Sequence, residues 1–334
     1  MKYVKLGKTD IDISVLALGC WAFAGGYFWG RQEEDDSVKT IHAALDLGIN
    51  FLDTAEAYEK GTSEQIVGKA LKGRRGKVVL ATKIGGGANF RSDKIVEACE
   101  NSLRNLQTDY VDLYYLHWPA MDVPFEEPLI GLEKLKAQGK IRAAGISNYG
   151  PKQMQMLEDT GRFDILEAHQ LPYNLFWRAI EHGISQKTIE RKLSIVCYST
   201  LAQGLLSGKY DKIEDVPDYL KITRFYQDPE KKLHGEDGCE VEVFDAIAKI
   251  KAACAKEGYT MPQAALAWLY KQAGVSALLT GARNVAELMQ NYQCLETEIS
   301  GAFADRLSEL AAQVNAKIGA NTDMWMGGEK SRTF

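Results

Sequence analysis

Asn50-Phe51-Leu52-Asp53-Thr54-Ala55-Glu56-Ala57-Tyr58 runs a short apolar pair straight into an aspartate, with a tyrosine five residues beyond it. The same arrangement recurs. Ala81-Thr82-Lys83, Tyr115-Leu116-His117-Trp118 and Gly145-Ile146-Ser147-Asn148 each end an apolar, β-like run in polar side chains. Between these runs lie helical stretches. Apolar residues fall at helical spacing at Ile41, Ala44 and Leu45, with acids at 33–36 where a helix begins and Gly48 where it stops. Further helices are expected at 63–71 with Ser63 as N-cap, at 92–106, at 127–138, at 151–159 with Pro151 near the first turn, and at 180–192.

The remaining β-like runs are 15–18, 78–81, 111–116, 141–146, 165–170, 193–198 and 276–279, which with 51–52 make eight. They are near-continuous apolar segments, as in a parallel sheet covered by helices on the outside. Eight strands alternating with helices predict an α/β fold, a (β/α)8 TIM barrel. Residues 2–6 and 11–14, joined by Gly7-Lys8-Thr9-Asp10, read as an N-terminal β-hairpin outside the repeat, a plug or cap. The period breaks at 204–240, a Gly/Pro-punctuated long loop or lid. Helices at 241–257, 262–273, 285–292 and 301–318 follow, two of them extra to the barrel, and residues 319–334 form a tail. All 334 residues are expected to form one domain. A doubly wound open sheet is the competing fold. It calls for GxGxxG after an early strand, and the nearest stretch, Gly85-Gly86-Gly87, lacks the final glycine. In a barrel, chemistry sits at the C-terminal strand ends, where Asp53, Lys83, His117, Ser147, Asn148, Gln170 and Tyr198 all fall.

Composition narrows the partners. A formal net charge of −5 and the lack of a basic run give no footing for nucleic acid. No run of eighteen apolar residues suggests a membrane span, and the N-terminus does not read as a secretory signal. Six scattered cysteines without a CxxC pair suggest a reduced, cytoplasmic setting and no metal site.

Leu52-Asp53-Thr54-Ala55 with Tyr58, Gly61-Thr62-Ser63-Glu64, Ala81-Thr82-Lys83, Leu116-His117-Trp118-Pro119, His169-Gln170-Leu171-Pro172-Tyr173-Asn174, Tyr198-Ser199-Thr200-Leu201 and Gly281-Ala282-Arg283-Asn284 with Asn291 occur in that order. The ordered set resembles the aldo-keto reductases over residues 1–315, closest to the bacterial-type branch similar to potassium-channel β subunits. The resemblance implies an NAD(P)-dependent oxidoreductase acting on an aldehyde, ketone or sugar. Two other readings share the fold: a cofactor-retaining sugar isomerase or epimerase, and a redox-sensing regulatory subunit.

The residues suit that chemistry. Carbonyl reduction needs a proton donor, and a free phenol, with a pKa of about 10, is a weak one. An ammonium nearby favours the phenolate. The expectation is therefore Tyr58 as acid/base, Lys83 and Asp53 as its tuning pair, and His117 as the group that orients or polarises the carbonyl. The hydride is expected from a nicotinamide, NADP with NAD possible. By resemblance, Ser147, Asn148 and Gln170 hold its carboxamide and Tyr198 stacks on its ring. Ser199, Leu201, Gln203 and Ser207 line the pyrophosphate, Gln290 and Asn291 face the adenine, and Trp21 and Gly281 join the cofactor surface. Arg283, near a helix start, suits a 2′-phosphate. Glu287 departs from the family pattern, because a carboxylate there repels that phosphate. Glu59-Lys60 departs too, where glycine is commoner. The substrate is a small carbonyl compound or sugar, with Trp21, Phe23, Tyr27, Trp29, Trp118, Phe176, Trp177 and Arg178 as candidate pocket residues. Trp325 is read as folding back over the mouth or pairing with a neighbouring chain.

Overall fold

The computed structural model describes residues 1–85, 90–230 and 233–334. Gly86 and Gly87 of the rejected glycine motif lie outside the described residues, as do residues 231 and 232 of the long loop.

The hairpin pairs β1 (Tyr3–Lys5) with β2 (Asp12–Ser14). The chain then runs β3 (Leu16–Gly19), α1 (Gly26–Trp29), α2 (Glu34–Asp46), β4 (Phe51–Asp53), α3 (Thr62–Ala70), β5 (Val79–Ile84) and α4 (Ser92–Leu106). Next come β6 (Val111–Leu116), α5 (Glu126–Ala137), β7 (Ile141–Ser147), α6 (Pro151–Asp159), β8 (Leu166–Pro172), α7 (Ile184–Glu190) and β9 (Ser194–Tyr198). The last part is α8 (Glu240–Glu257), α9 (Met261–Tyr270), β10 (Val275–Gly281), α10 (Val285–Cys294), α11 (Gly301–Leu310) and α12 (Ala312–Ile318). Strands β3 to β10 close into a parallel eight-stranded barrel, with β10 beside β3.

Strand residues alternate between two apolar environments. Ala17, Phe51, Val79, Ala81, Leu113, Tyr115, Ala143, Ala168, Val196 and Ala277 fill the barrel interior together with Leu6, Ile11 and Ile13 of the hairpin region. Their neighbours Leu18, Leu52, Leu80, Tyr114 and Ile146 meet the helices. Burial on both faces explains the unbroken apolar runs. The interior is tight. A Cβ on Gly145 would lie 2.6 Å from the Tyr115 ring, so glycine makes room for that side chain. The hairpin plugs the N-terminal end: Gly7 N–H donates to Ser194 Oγ at 2.8 Å and Lys8 N–H to Glu167 Oε2 at 2.7 Å.

Two local expectations change. Ser63 is not the cap of α3; Gly61 is, in a left-handed conformation. Ser63 lies inside, donating to Cys20 O and accepting from Thr54 Oγ1, both at 2.8 Å, and so ties the β4 end to the β3 end. The stretch 301–318 is two helices that meet at buried Ala311 (φ −92°, ψ 0°), which still donates to Leu307 O and accepts from Asn315 N–H, each at 3.2 Å. The segment from 204 holds short 3-10 turns. Buried Arg224 fastens it to the tail: its guanidinium donates to Ile318 O (3.0 Å), Asn321 O (2.8 Å) and Asp323 O (3.2 Å), and pairs with Glu236 at 2.6 Å.

Candidate active site

Register decides what meets. In β4 and β5 Asp53 pairs with Ala81, and Lys83, two residues on, faces the same side, the barrel interior. Lys83 is fully buried. Its Nζ donates to Asp53 Oδ1 at 2.5 Å, to Thr54 O at 2.7 Å and to Tyr58 OH at 3.3 Å. Three acceptors thus surround one ammonium, which is what a buried lysine needs to keep its charge. Burial opposes that charge, but Asp53 and Tyr58 outweigh it and hold the lysine above its ordinary range. Burial pushes Asp53 upward, offset in part by Lys83 and by Gln170, whose Nε2 donates to Asp53 Oδ2 at 2.8 Å. The tyrosine differs from the simple expectation. Lys83 does pull the phenol down, but burial is the larger effect and leaves Tyr58 above its usual value. The phenol is therefore protonated at neutral pH.

His117 stands edge-on to Tyr58, ring centroids 6.0 Å apart. Burial, then the Lys83 and Arg332 charges, push its pKa well below the ordinary range, so the imidazole is neutral. Its Nδ1 is buried with no hydrogen-bond partner among the described residues, a place kept for one. Tyr58 is carried by a loop in which Glu59 (φ 47°), Lys60 (φ 55°) and Gly61 (φ 88°) are all left-handed. Side chains at the first two cost roughly 1–2 kcal/mol each. Lys60→Gly is expected to stabilise the fold by about 0.5–1 kcal/mol, the strain relieved less the glycine entropy. An unchanged or lowered urea midpoint would show that the loop is unstrained.

Tyr198 donates from its hydroxyl to Asn148 Oδ1 at 2.7 Å. Asn148, left-handed at φ 65°, donates to Ser147 Oγ and to His117 O, each at 3.0 Å. Ser147 pairs in register with Gln170. Thus Ser147, Asn148, Gln170 and Tyr198 are brought together beside Asp53. Beyond β9, Ser199, Ala202, Gln203 and Gly204 are left-handed, in a tight turn closed by Ala202 N–H to Ser199 O at 2.8 Å and Gly204 N–H to Leu201 O at 2.9 Å. Leu201 lies within this turn and Ser207 closes it on Gly204 O at 2.6 Å. The amide and hydroxyl groups of Ser147, Asn148 and Gln170 beside the Tyr198 ring have the donor and acceptor types that a nicotinamide carboxamide calls for.

The far end is arranged otherwise than a free anion site. The Arg283 guanidinium bonds Gln32 Oε1 at 2.9 Å and the Arg31 carbonyl. Its backbone N–H donates to Glu287 Oε2 at 2.8 Å, so that carboxylate sits at the start of α10. Asn291 is buried and donates to Gly281 O at 2.9 Å, while Gln290 is exposed.

Of the pocket candidates, Trp21 stacks on Tyr58 (5.5 Å, 20°) and Trp29 meets Trp21 edge-on at 5.4 Å. Phe23 is buried in the core and Tyr27 projects outward, 75 % exposed. Trp118 lies beside His117 at 6.4 Å. Phe176, Trp177 and Arg178 are not brought to this group. Phe176 and Trp177 are fully buried against Phe225, and Arg224 lies over the Trp177 ring. Arg178 pairs with Glu181 and lies over Trp268. Their loop turns them toward the 204–240 segment and α9. In their stead comes the tail: Trp325 is edge-on to Trp118 at 5.8 Å and nearly parallel to Tyr198 at 6.0 Å. Six rings from Trp21 to Tyr198 thus follow one another, and Tyr198 is tied back through Asn148 to the His117 carbonyl, so that His117, Trp118, Trp325 and Tyr198 form a loop with Tyr58 and Trp21 leading away from it.

A buried lysine–aspartate pair, a tyrosine and a histidine thus gather at the C-terminal strand ends of a parallel barrel, the face on which barrel enzymes carry their chemistry. Comparisons with known proteins are specific. The aldo/keto reductase family model matches residues 15–312. Aldo-keto reductase YhdN of Bacillus subtilis is 38% identical over 299 residues, covering 86% of this chain and 87% of that protein. The NADH-specific methylglyoxal reductase of Escherichia coli is 33% identical over 333 residues, covering 93% and 98%. The glycerol dehydrogenase AKR11B4 from Gluconobacter oxydans superposes with a TM-score of 0.80 at 31% identity, covering 93% of this chain and 95% of that one. An aldo-keto reductase from Klebsiella pneumoniae solved with NADPH gives 0.73 at 29%, again covering 93% and 95%. The chain belongs to the aldo/keto reductase family and is an oxidoreductase of that NAD(P)H-dependent kind.

Proposed function

We propose that this protein reduces a small carbonyl compound, with Tyr58 giving the proton. The observation that carries this is the Lys83 ammonium held between Asp53 and the Tyr58 hydroxyl in a site without solvent exposure at the lysine. A bound nicotinamide cofactor, NADP or NAD, would supply the hydride that the carbonyl carbon accepts. The protein does the rest. Tyr58 O–H hydrogen-bonds the carbonyl oxygen and passes its proton to it as negative charge develops there, giving an alcohol. Lys83 stabilises the phenolate left behind, and solvent returns the proton. His117, neutral, donates a second hydrogen bond and fixes the carbonyl's direction. Asp53 holds Lys83 in place and is itself held by Gln170. Ser147, Asn148 and Tyr198 are the residues that would hold the nicotinamide, and Ser199 to Gln203 its pyrophosphate.

The pH dependence follows from these directions. Reduction uses the protonated phenol, so its rate falls as pH rises through the Tyr58 pKa, which burial has raised. The alkaline fall in kcat/KM is expected above the usual phenol range of about 10 in the protein without bound ligand. No inflection is expected at about pH 6–7, where an ordinary histidine titrates, because His117 is already neutral. An inflection there that vanishes in His117→Asn would show that a charged imidazole takes part.

The Arg224 clamp between the 204–240 segment and the tail favours a second reading, in which the cofactor stays bound between turnovers. Its test is the cofactor content of protein purified without added nucleotide, read by absorbance after denaturation. Stoichiometric nucleotide supports retention; none sinks it.

A further inference from the structure

The proton-transfer set deals with one oxygen of a substrate. The tail supplies a polar group that set does not use. Asp323, fully buried, organises the tail: Oδ1 accepts the N–H groups of Trp325 (3.1 Å) and Met326 (3.2 Å), and Oδ2 that of Arg332 (3.1 Å). The Arg332 guanidinium then grips the same carboxylate, Nε to Oδ2 and Nη2 to Oδ1, both at 2.8 Å. So fixed, its Cζ lies over the Trp118 ring, 3.4 Å from the centroid. It is close enough to His117 and Tyr198 to act on both rings through its charge. Two of its three nitrogens are spent on Asp323. Nη1 makes no hydrogen bond among the described residues.

We propose that Arg332 is a specificity-determining residue whose Nη1 edge binds an oxygen on the carbon next to the reacting carbonyl. The substrates it selects are compact, uncharged 2-oxo or 2-hydroxy carbonyl compounds. Compactness follows from the rings crowded beside His117, where Trp118, Trp325 and Tyr198 are in succession within 6.4 Å of one another. The preference for a neutral oxygen follows from Asp323, whose bidentate grip already balances the guanidinium charge and leaves an anion little to gain. A donor fixed by its ring contact and by two bonds loses little entropy when it binds, which suits it to discrimination.

This inference rests on the carbonyl-reductase reading, and the experiment separates the two. Three aldehydes are compared by kcat/KM in the wild type, Arg332→Met and Arg332→Gln. Glyceraldehyde and 2-oxopropanal carry the second oxygen; propionaldehyde lacks it. The wild type is expected to favour the oxygenated pair. Arg332→Met reduces that ratio about tenfold, mainly through KM, and Arg332→Gln, which keeps a donor, restores part of it. In parallel, glycerol and 1-propanol are titrated into the NADP+-loaded proteins and followed by tryptophan fluorescence. The wild type alone should prefer glycerol. Loss of all three carbonyl activities in the wild type would overturn the reductase reading, while the alcohol titration still tests Arg332. An unchanged ratio in Arg332→Met, or the same fall for propionaldehyde as for the other two, overturns this inference.

Discussion

Tyr58→Phe is expected to lower carbonyl reduction by about 10²–10⁴-fold in kcat, the range of a positioned general acid, while leaving dinucleotide affinity within about threefold. The substitution removes one oxygen from a ring that stays packed between Trp21 and His117. Packing and fold therefore persist, and the loss falls on the proton. The measurement is paired: steady-state kinetics for the reaction, and fluorescence titration for the cofactor. A fall in cofactor affinity as large as the fall in rate would mean that Tyr58 shapes the site rather than serving it.

Lys83→Met is expected to have the largest effect on stability, a loss of about 3–5 kcal/mol, because it strands the Asp53 carboxylate in the barrel with its charge unbalanced. Asp53 keeps only the Gln170 amide, at 2.8 Å. The Thr54 carbonyl and the Tyr58 hydroxyl also lose their partner. Adding Asp53→Asn to Lys83→Met should recover part of the stability, since the pair is then removed together, but none of the activity. Urea unfolding of the two single variants and the double variant checks this. Single-variant losses that simply add in the double would show that the two groups are not coupled.

The barrel is legible in the sequence because each strand is buried on both sides and so reads as an apolar run. Val111–Leu116 reads to the residue, and α4 and α6 likewise. Asp53, Lys83 and His117 stand out for the same reason, since a polar residue at the end of an apolar run is conspicuous. What the sequence hides depends on side chains meeting across irregular backbone. Arg224 and Asp323 each gather several backbone partners from segments with no periodicity, so nothing near them in sequence marks them as buried. Arg332 is hidden in the same way, nine residues from the carboxylate that fixes it. Trp177 and Arg178 show the converse: a loop's composition does not tell which way it faces. Ser63 has the composition of a cap, but the tie to Cys20 claims it.

In the proposed reaction, hydride and proton reach one carbonyl, the first from the nicotinamide and the second from Tyr58. The most direct test is reduction of 2-oxopropanal by the purified protein with NADPH or NADH deuterated at the transferring position of the ring, with the product read by mass spectrometry and NMR. The expected result is an alcohol carrying one deuterium on the former carbonyl carbon, formed by the wild type and at a rate lower by at least about a hundredfold by Tyr58→Phe. Product without deuterium on that carbon, or equal rates in the two proteins, would contradict it.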